Sequence, residues 1–179
     1  MEKEEEYWFA MKVFYNKVFQ IEEYFQSKGM ECYIPVQWEE KVVAGEHRRK
    51  RKPIVSSLLF FRSTKQNVLV VEKDLYHRVM IYKDQHFRQP AVIPNQEMKI
   101  FKMVTSVTGS WDFVDVDLNK FSLNDRVKVT GGEFEGAEGY IKRIKGNRRL
   151  VVAIEGIVAV ATTYIPSCYL QKINRGVGD

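Results

Sequence analysis

Residues 125–141 read Asp-Arg-Val-Lys-Val-Thr-Gly-Gly-Glu-Phe-Glu-Gly-Ala-Glu-Gly-Tyr-Ile, and no other stretch constrains the fold as much. Gly131, Gly132, Gly136 and Gly139 fall too close together for a helix to survive them. The alternation of polar and apolar residues before the first pair has the two-residue period of a half-buried strand. The segment therefore predicts strand, tight turn and strand, with Gly132 and Gly136 in conformations barred to other residues and Phe134 covering the end of a small barrel. Residues 150–154, 157–162 and 170–173 are further short strand candidates. Lys145-Gly146-Asn147-Arg148 is the turn between two of them, Gly-Asn supplying the positive φ of a tight hairpin. Five short strands without a long helix imply closure into a barrel, which removes exposed edges.

The first part of the chain has mixed periods. Residues 8–15 are aromatic and β-branched, as in a strand. Val18, Ile21, Tyr24 and Phe25 recur at helical spacing and Gly29 is a natural stop. Residues 31–36 predict a second strand ending at an edge with Pro35, and residues 41–52 a protruding loop or hairpin around Gly45. Residues 57–62 form a continuous apolar run suited to a buried central strand. A short helix over 67–73 and a strand over 78–82 follow. Asn95, after Pro94, can cap a helix with Met98, Phe101 and Val104 on its apolar face. Strands interleaved with helices predict an α+β sandwich. The expected organisation is an N-terminal domain over 1–106, a linker over 107–122 with a small polar start at 105–110, and a β-barrel over 123–175. For Trp111-Asp112-Phe113-Val114 the sequence does not choose a domain.

Charge and composition narrow the function classes. The formal net charge is +5. Residues 1–119 are nearly balanced, 18 Lys and Arg against 17 Asp and Glu, whereas the last 60 carry 10 against 6. Within the first part, Arg48-Arg49-Lys50-Arg51-Lys52 is a dense basic run, a pattern that points to phosphate or an acidic surface. In the second, Lys142, Arg143, Lys145, Arg148 and Arg149 gather around one hairpin. Two cysteines, Cys32 and Cys168, exclude a disulfide scaffold and a four-thiolate zinc ribbon and suit a reducing cytosol. No apolar run approaches the ~20 residues of a membrane span. The acidic start is not a signal peptide, so a soluble, cytoplasmic protein is expected.

The inventory for catalysis is thin. His47, His77 and His86 lack metal-ligand spacing, no phosphate-binding glycine loop occurs, and the cysteines lack a CxxC partner. Asp112, Asp115 and Asp117 alternate with apolar residues but lack the glycine and terminal glutamate of a calcium loop. The chain is expected to be no enzyme and to need no metal or cofactor.

The pattern at 125–141, with Gly132, Phe134, Gly136 and Gly139, resembles the KOW motif of NusG-type transcription elongation factors and some ribosomal proteins. Upstream, Trp8-Phe9-Ala10-Met11 resembles the opening strand of the NusG N-terminal domain, Tyr33-Ile34-Pro35 its Y-x-P strand end, and residues 53–61 its P-L-F-P-G-Y-V-F-V strand. The wording is most similar to UpxY-type paralogs, antiterminators of capsular polysaccharide operons. The resemblance implies a NusG N-terminal-like sandwich followed by an SH3-like barrel. It further implies an apolar depression that docks on the clamp helices of the largest RNA polymerase subunit and suppresses pausing and termination. The matching positions are Trp8, Phe9, Val55, Leu58 and Phe60. Ser56-Ser57-Leu58 replaces the family's Pro-Gly-Tyr, leaving contact by apolar burial. Arg48, Arg49, Lys50, Arg51 and Lys52 would lie near upstream duplex or non-template DNA, and Tyr82 and Lys83 near the transcription bubble, with nascent RNA a further partner. The turn Ile154-Glu155-Gly156-Ile157 replaces an I-F-G-R sequence, which argues against recruiting Rho or a small-subunit ribosomal protein. A monomer with no membrane partner is expected. The rival reading is an RNA-binding or ribosome-associated KOW protein without a polymerase role.

Overall fold

Aromatic and branched residues at 7–13 make β1 (Tyr7–Val13), the strand around which the first half of the chain is built. The computed structural model describes residues 4–84, 86–107, 109, 111–114 and 126–173. The chain divides into two units, Met1–Asn95 and Gln96–Asp179. In the first, β1 is followed by α1 (Val18–Ser27), β2 (Cys32–Tyr33), β3 (Val36–Val43), β4 (Glu46–Pro53), β5 (Leu58–Ser63), α2 (Asn67–Asp74) and β6 (Val79–Ile81). β2, β5, β1 and β6 lie in that order in one antiparallel sheet. β3 and β4 form a separate two-stranded ribbon.

Alternation along the strands sorts the side chains. Phe9, Met11 and Val13 of β1, Leu59 and Phe61 of β5, and Val79 and Ile81 of β6 join Val18, Ile21 and Phe25 of α1 and Val68, Val71 and Leu75 of α2 in one core. Phe61 sits at the middle of an aromatic stack, 5.9 Å from Phe9 and 5.0 Å from Phe25 between ring centroids. Trp8, Ala10 and Lys12, with their cross-strand neighbours Arg62, Phe60 and Leu58, point to the opposite face. Met80 shares that face beside Lys12.

The second unit begins with α3 (Asn95–Ser106), whose apolar face carries Met98, Phe101 and Val104, all buried. Then come β7 (Trp111–Phe113), β8 (Arg126–Val129), β9 (Glu138–Ile144), β10 (Asn147–Ile154), β11 (Val158–Tyr164) and β12 (Leu170–Lys172). They form a six-stranded sheet in the order β12-β8-β9-β10-β11-β7. The fold is thus α+β, a helix-covered sheet followed by a small β domain.

Two local expectations need amending and two are made specific. The strand expected over 31–36 contracts to β2, because Pro35 lacks the N–H that would continue the ladder. Of the loop or hairpin expected at 41–52, the structure has the hairpin, with its strands extended to pair from Val36↔Pro53 to Val43↔Glu46. Thr105 and Ser106, expected in a linker, finish α3, where the Thr105 hydroxyl donates to the Phe101 carbonyl at 2.7 Å. Trp111–Phe113 adds a strand to the edge of β11. Asp115, Asp117 and Asp125 lie outside the described residues.

Candidate functional site

Two hairpins carry the chain's concentrated positive charge. Both have two-residue turns with positive φ at each central position: Ala44 and Gly45 in the first (52° and 81°), Lys145 and Gly146 in the second (49° and 83°). This is the turn whose twist matches that of paired strands. In the second hairpin the positive φ therefore belongs to Lys145-Gly146 rather than to Gly-Asn, and Asn147 already pairs with Ile144.

In the β3–β4 ribbon most of the cations are held by carboxylates. Arg48 meets Glu46 at 3.1 Å, Arg49 meets Glu40 at 3.2 Å and Lys52 meets Glu39 at 2.7 Å. The Lys52 ammonium holds the Glu39 carboxyl below its usual range, although burial opposes the shift. Lys50 lies directly opposite Glu39. Arg51 has a different role. Its guanidinium grips Glu22 of α1 with bonds of 2.8 and 3.2 Å and lies 4.9 Å from the centroid of the Phe19 ring. It ties the ribbon's base to the core-forming helix. Six basic and three acidic side chains in residues 36–53 leave the ribbon at +3. Trp38 and Val42 stand half-exposed or more, at 50% and 65%, on the face shared with Arg49 and Arg51. Neither residue was marked by the charge run, although their i, i+4 spacing on a strand already placed them on one face.

Tyr82 and Lys83 start from the other side of the sheet. They follow β6, one edge strand, whereas the ribbon follows β2, the other. Three strand spacings of about 4.8 Å separate those edges. The Tyr82 N–H donates to the Ala10 carbonyl at 3.0 Å, and burial pushes the phenol's pKa up. Lys83 is exposed and bridges Pro90. Next in the chain, the Asp84 carboxylate accepts from the Phe87 and His86 N–H groups at 2.9 and 2.8 Å, which holds its pKa down.

The five residues expected to form an accessible apolar depression are distributed otherwise. Trp8, Phe9, Leu58 and Phe60 are buried, and Val55 is half-buried. Phe9 belongs to the core beneath α1 and α2, so its ring is on the wrong side of the sheet to join Trp8, Leu58 and Phe60. On their side of the sheet Met80 is accessible, 46% exposed.

In the β domain, Gly132 and Gly136 have φ of 83° and 87°, and Phe134 is buried. The Gly136 and Ala137 N–H groups bond to the Val129 and Phe134 carbonyls at 2.8 and 2.9 Å, folding the loop over that ring. Gly139 is required for another reason: a Cβ there would lie 2.4 Å from the Val151 carbonyl oxygen. At Gly131 the neighbour is a side chain, the Tyr169 ring, 2.9 Å from where a Cβ would sit.

Among the described residues no group of three or more His, Cys, Asp or Glu side chains is arranged to hold a metal ion, and no helix is long and apolar enough to cross a membrane. Cys32 and Cys168 are not disulfide-bonded.

Residues 6–102 match the family described as "NusG: Transcription termination factor nusG". No curated protein matches the chain. The solved structure described as "Domain interaction in Thermotoga maritima NusG" is similar with a TM-score of 0.48 and 19% identity, over 95% of this chain and 98% of that one.

Proposed function

Because the chain belongs to the NusG family of non-enzymatic, RNA polymerase-binding transcription factors, we propose that it is a specialised elongation and antitermination factor acting in the cytoplasm. The family match over residues 6–102 carries the reading, since it spans every element of the first unit. In our reading the sheet face opposite α1 and α2 docks on the clamp helices of the largest polymerase subunit. Trp8, Leu58 and Phe60, being buried, support it only from within, and the exposed Met80 with the half-buried Val55 supplies the apolar atoms that a partner can reach. A factor strapped across the clamp disfavours its opening and so suppresses pausing and termination. Phe9 serves this surface only from beneath, as core.

The β3–β4 ribbon then lies toward upstream duplex or the displaced strand. Its arginines must exchange carboxylates for phosphates, so the gain per contact is modest. Docking on polymerase supplies the effective concentration that makes so weak a contact count. Tyr82 and Lys83 are placed at the bubble in the same arrangement. The acidic Glu155 in the β10–β11 turn favours a specialised paralog of the UpxY type over a general factor, because aromatic and arginine anchors commonly dominate such interfaces.

The test is in vitro transcription with purified polymerase on a template bearing a pause and a terminator. Read-through should rise with the wild-type chain and fall back with Val55→Asp combined with Met80→Asp. Leu58→Asp and Phe60→Asp are unsuitable probes, since each would bury a carboxylate and report unfolding. Unchanged read-through in the wild type refutes the antitermination reading.

A further inference from the structure

The sheet face opposite α1 and α2 carries a charge pattern of its own. The β1–β6 register sets Lys12 against Met80. The Tyr82 N–H bonds to the Ala10 carbonyl at 3.0 Å and the Phe14 N–H to the Arg78 carbonyl at 2.9 Å, so the same register runs on at both ends. Residues two apart on a strand share a face, which puts Arg78 on the side of Met80 and Lys12. All three side chains are exposed. Arg62, a third cation of this face, lies near two carboxylates, Glu6 at 3.5 Å and Glu31 at 3.7 Å. Lys12 and Arg78 differ: among the described residues neither side chain makes an ion pair or a hydrogen bond. The acids that adjoin β6 are already engaged, Glu72 accepting from the Ile81 N–H at 3.1 Å and Asp84 from the His86 and Phe87 N–H groups. One accessible thioether is thus flanked by two unpaired cations.

A protein that docks over Met80 takes both cations out of water, and a buried charge without a partner is costly. We propose that Lys12 and Arg78 select the polymerase surface, each pairing with a carboxylate that the clamp helices present beside the side chain seated on Met80. This rests on the polymerase docking proposed above and states the chemistry of the surface met there. Diagonal neighbours in a sheet stand about 7–8 Å apart. Two carboxylates one turn apart on a single helix, about 5–6 Å between their Cβ atoms, can meet that span. A nucleic-acid strand is the poorer occupant, because phosphate gains nothing from an apolar side chain set between the cations. An apolar centre rimmed by charge is instead the ordinary build of a protein interface. The pairing gives specificity, since helices that are neutral or basic at this place would leave both charges unpaired.

The experiment is biolayer interferometry of the full chain on purified core polymerase free of nucleic acid, at salt between roughly 50 and 300 mM, a range over which the screening of charges grows. Lys12→Met combined with Arg78→Met keeps the apolar stems and removes both charges. It should weaken binding on the order of tenfold at the lowest salt and flatten the salt dependence. Lys12→Arg should stay within about threefold of wild type, whereas Lys12→Glu should lose more than Lys12→Met. Should the double variant fold poorly, Lys12→Met alone should give about half the flattening. Val55→Asp with Met80→Asp is measured alongside. If that folded variant binds as wild type does, the docking reading fails and this proposal with it. If it loses binding while the Lys12 and Arg78 variants keep wild-type strength and salt dependence, docking stands and this proposal alone is overturned. Equal losses toward polymerase and toward a labelled DNA strand would assign the cations to phosphate and overturn it as well.

Discussion

At the residue scale, two side-chain environments make sharp predictions. The approach of Gly139 to the Val151 carbonyl oxygen, 2.4 Å from an added Cβ, leaves no flexible neighbour to move aside. Gly139→Ala should cost about 1–3 kcal/mol in urea unfolding, the range for overpacking a tight interior; a loss under a few tenths would show that the strands can separate there. Glu97 on α3 behaves differently. Burial pushes its carboxyl pKa up, Glu155 pushes the same way and Arg126 opposes. The native state therefore holds the proton more tightly than the unfolded chain, and this contribution is present at low pH and lost as pH rises past the ordinary carboxylate range. Glu97→Gln should raise the melting temperature at neutral pH, modestly because Glu97 retains contact with water, and the gap to wild type should close near pH 4. A gap of equal size at both pH values would exclude ionisation as its cause.

At the scale of elements, the Arg51–Glu22 contact is the joint between the β3–β4 ribbon and α1. Its bidentate geometry and partial burial, side chains 37% and 16% exposed, place it above an ordinary surface pair. A double-mutant cycle of Arg51→Ala and Glu22→Ala should return a coupling of roughly 0.5–1 kcal/mol, and proteolysis in the ribbon should quicken in either single variant. Additive effects would mean that the ribbon is held by Phe19 and the strands alone. The basic run was legible as a solvent-facing projection, yet its ion pairs were not. Glu22 is 29 residues from Arg51, and only the packing of α1 beside the ribbon brings them together. Likewise the period-two pattern located β8 to β12, and helical spacing located α1 and α3, because those signals are local. Trp111–Phe113 had no such signal: three residues with one tryptophan become a strand only because β11 offers an open edge.

At the scale of the molecule, the apolar residues of β1 and β5 were visible as a set, but a strand sends neighbours to opposite faces, and no linear pattern says which face a partner will use. Phe9 and Trp8 adjoin in sequence and part company in space. The central claim is that the sheet face bearing Trp8, Leu58 and Phe60, with Val55 and Met80 accessible, meets RNA polymerase. Its direct test is binding of the full chain to purified core polymerase, measured by biolayer interferometry for wild type, for Val55→Asp combined with Met80→Asp, and for Leu69→Asp on the exposed side of α2. The account predicts tight binding by the wild type and the α2 variant and at least a tenfold loss for the double variant with its melting temperature preserved. Undiminished binding by that folded double variant would contradict it.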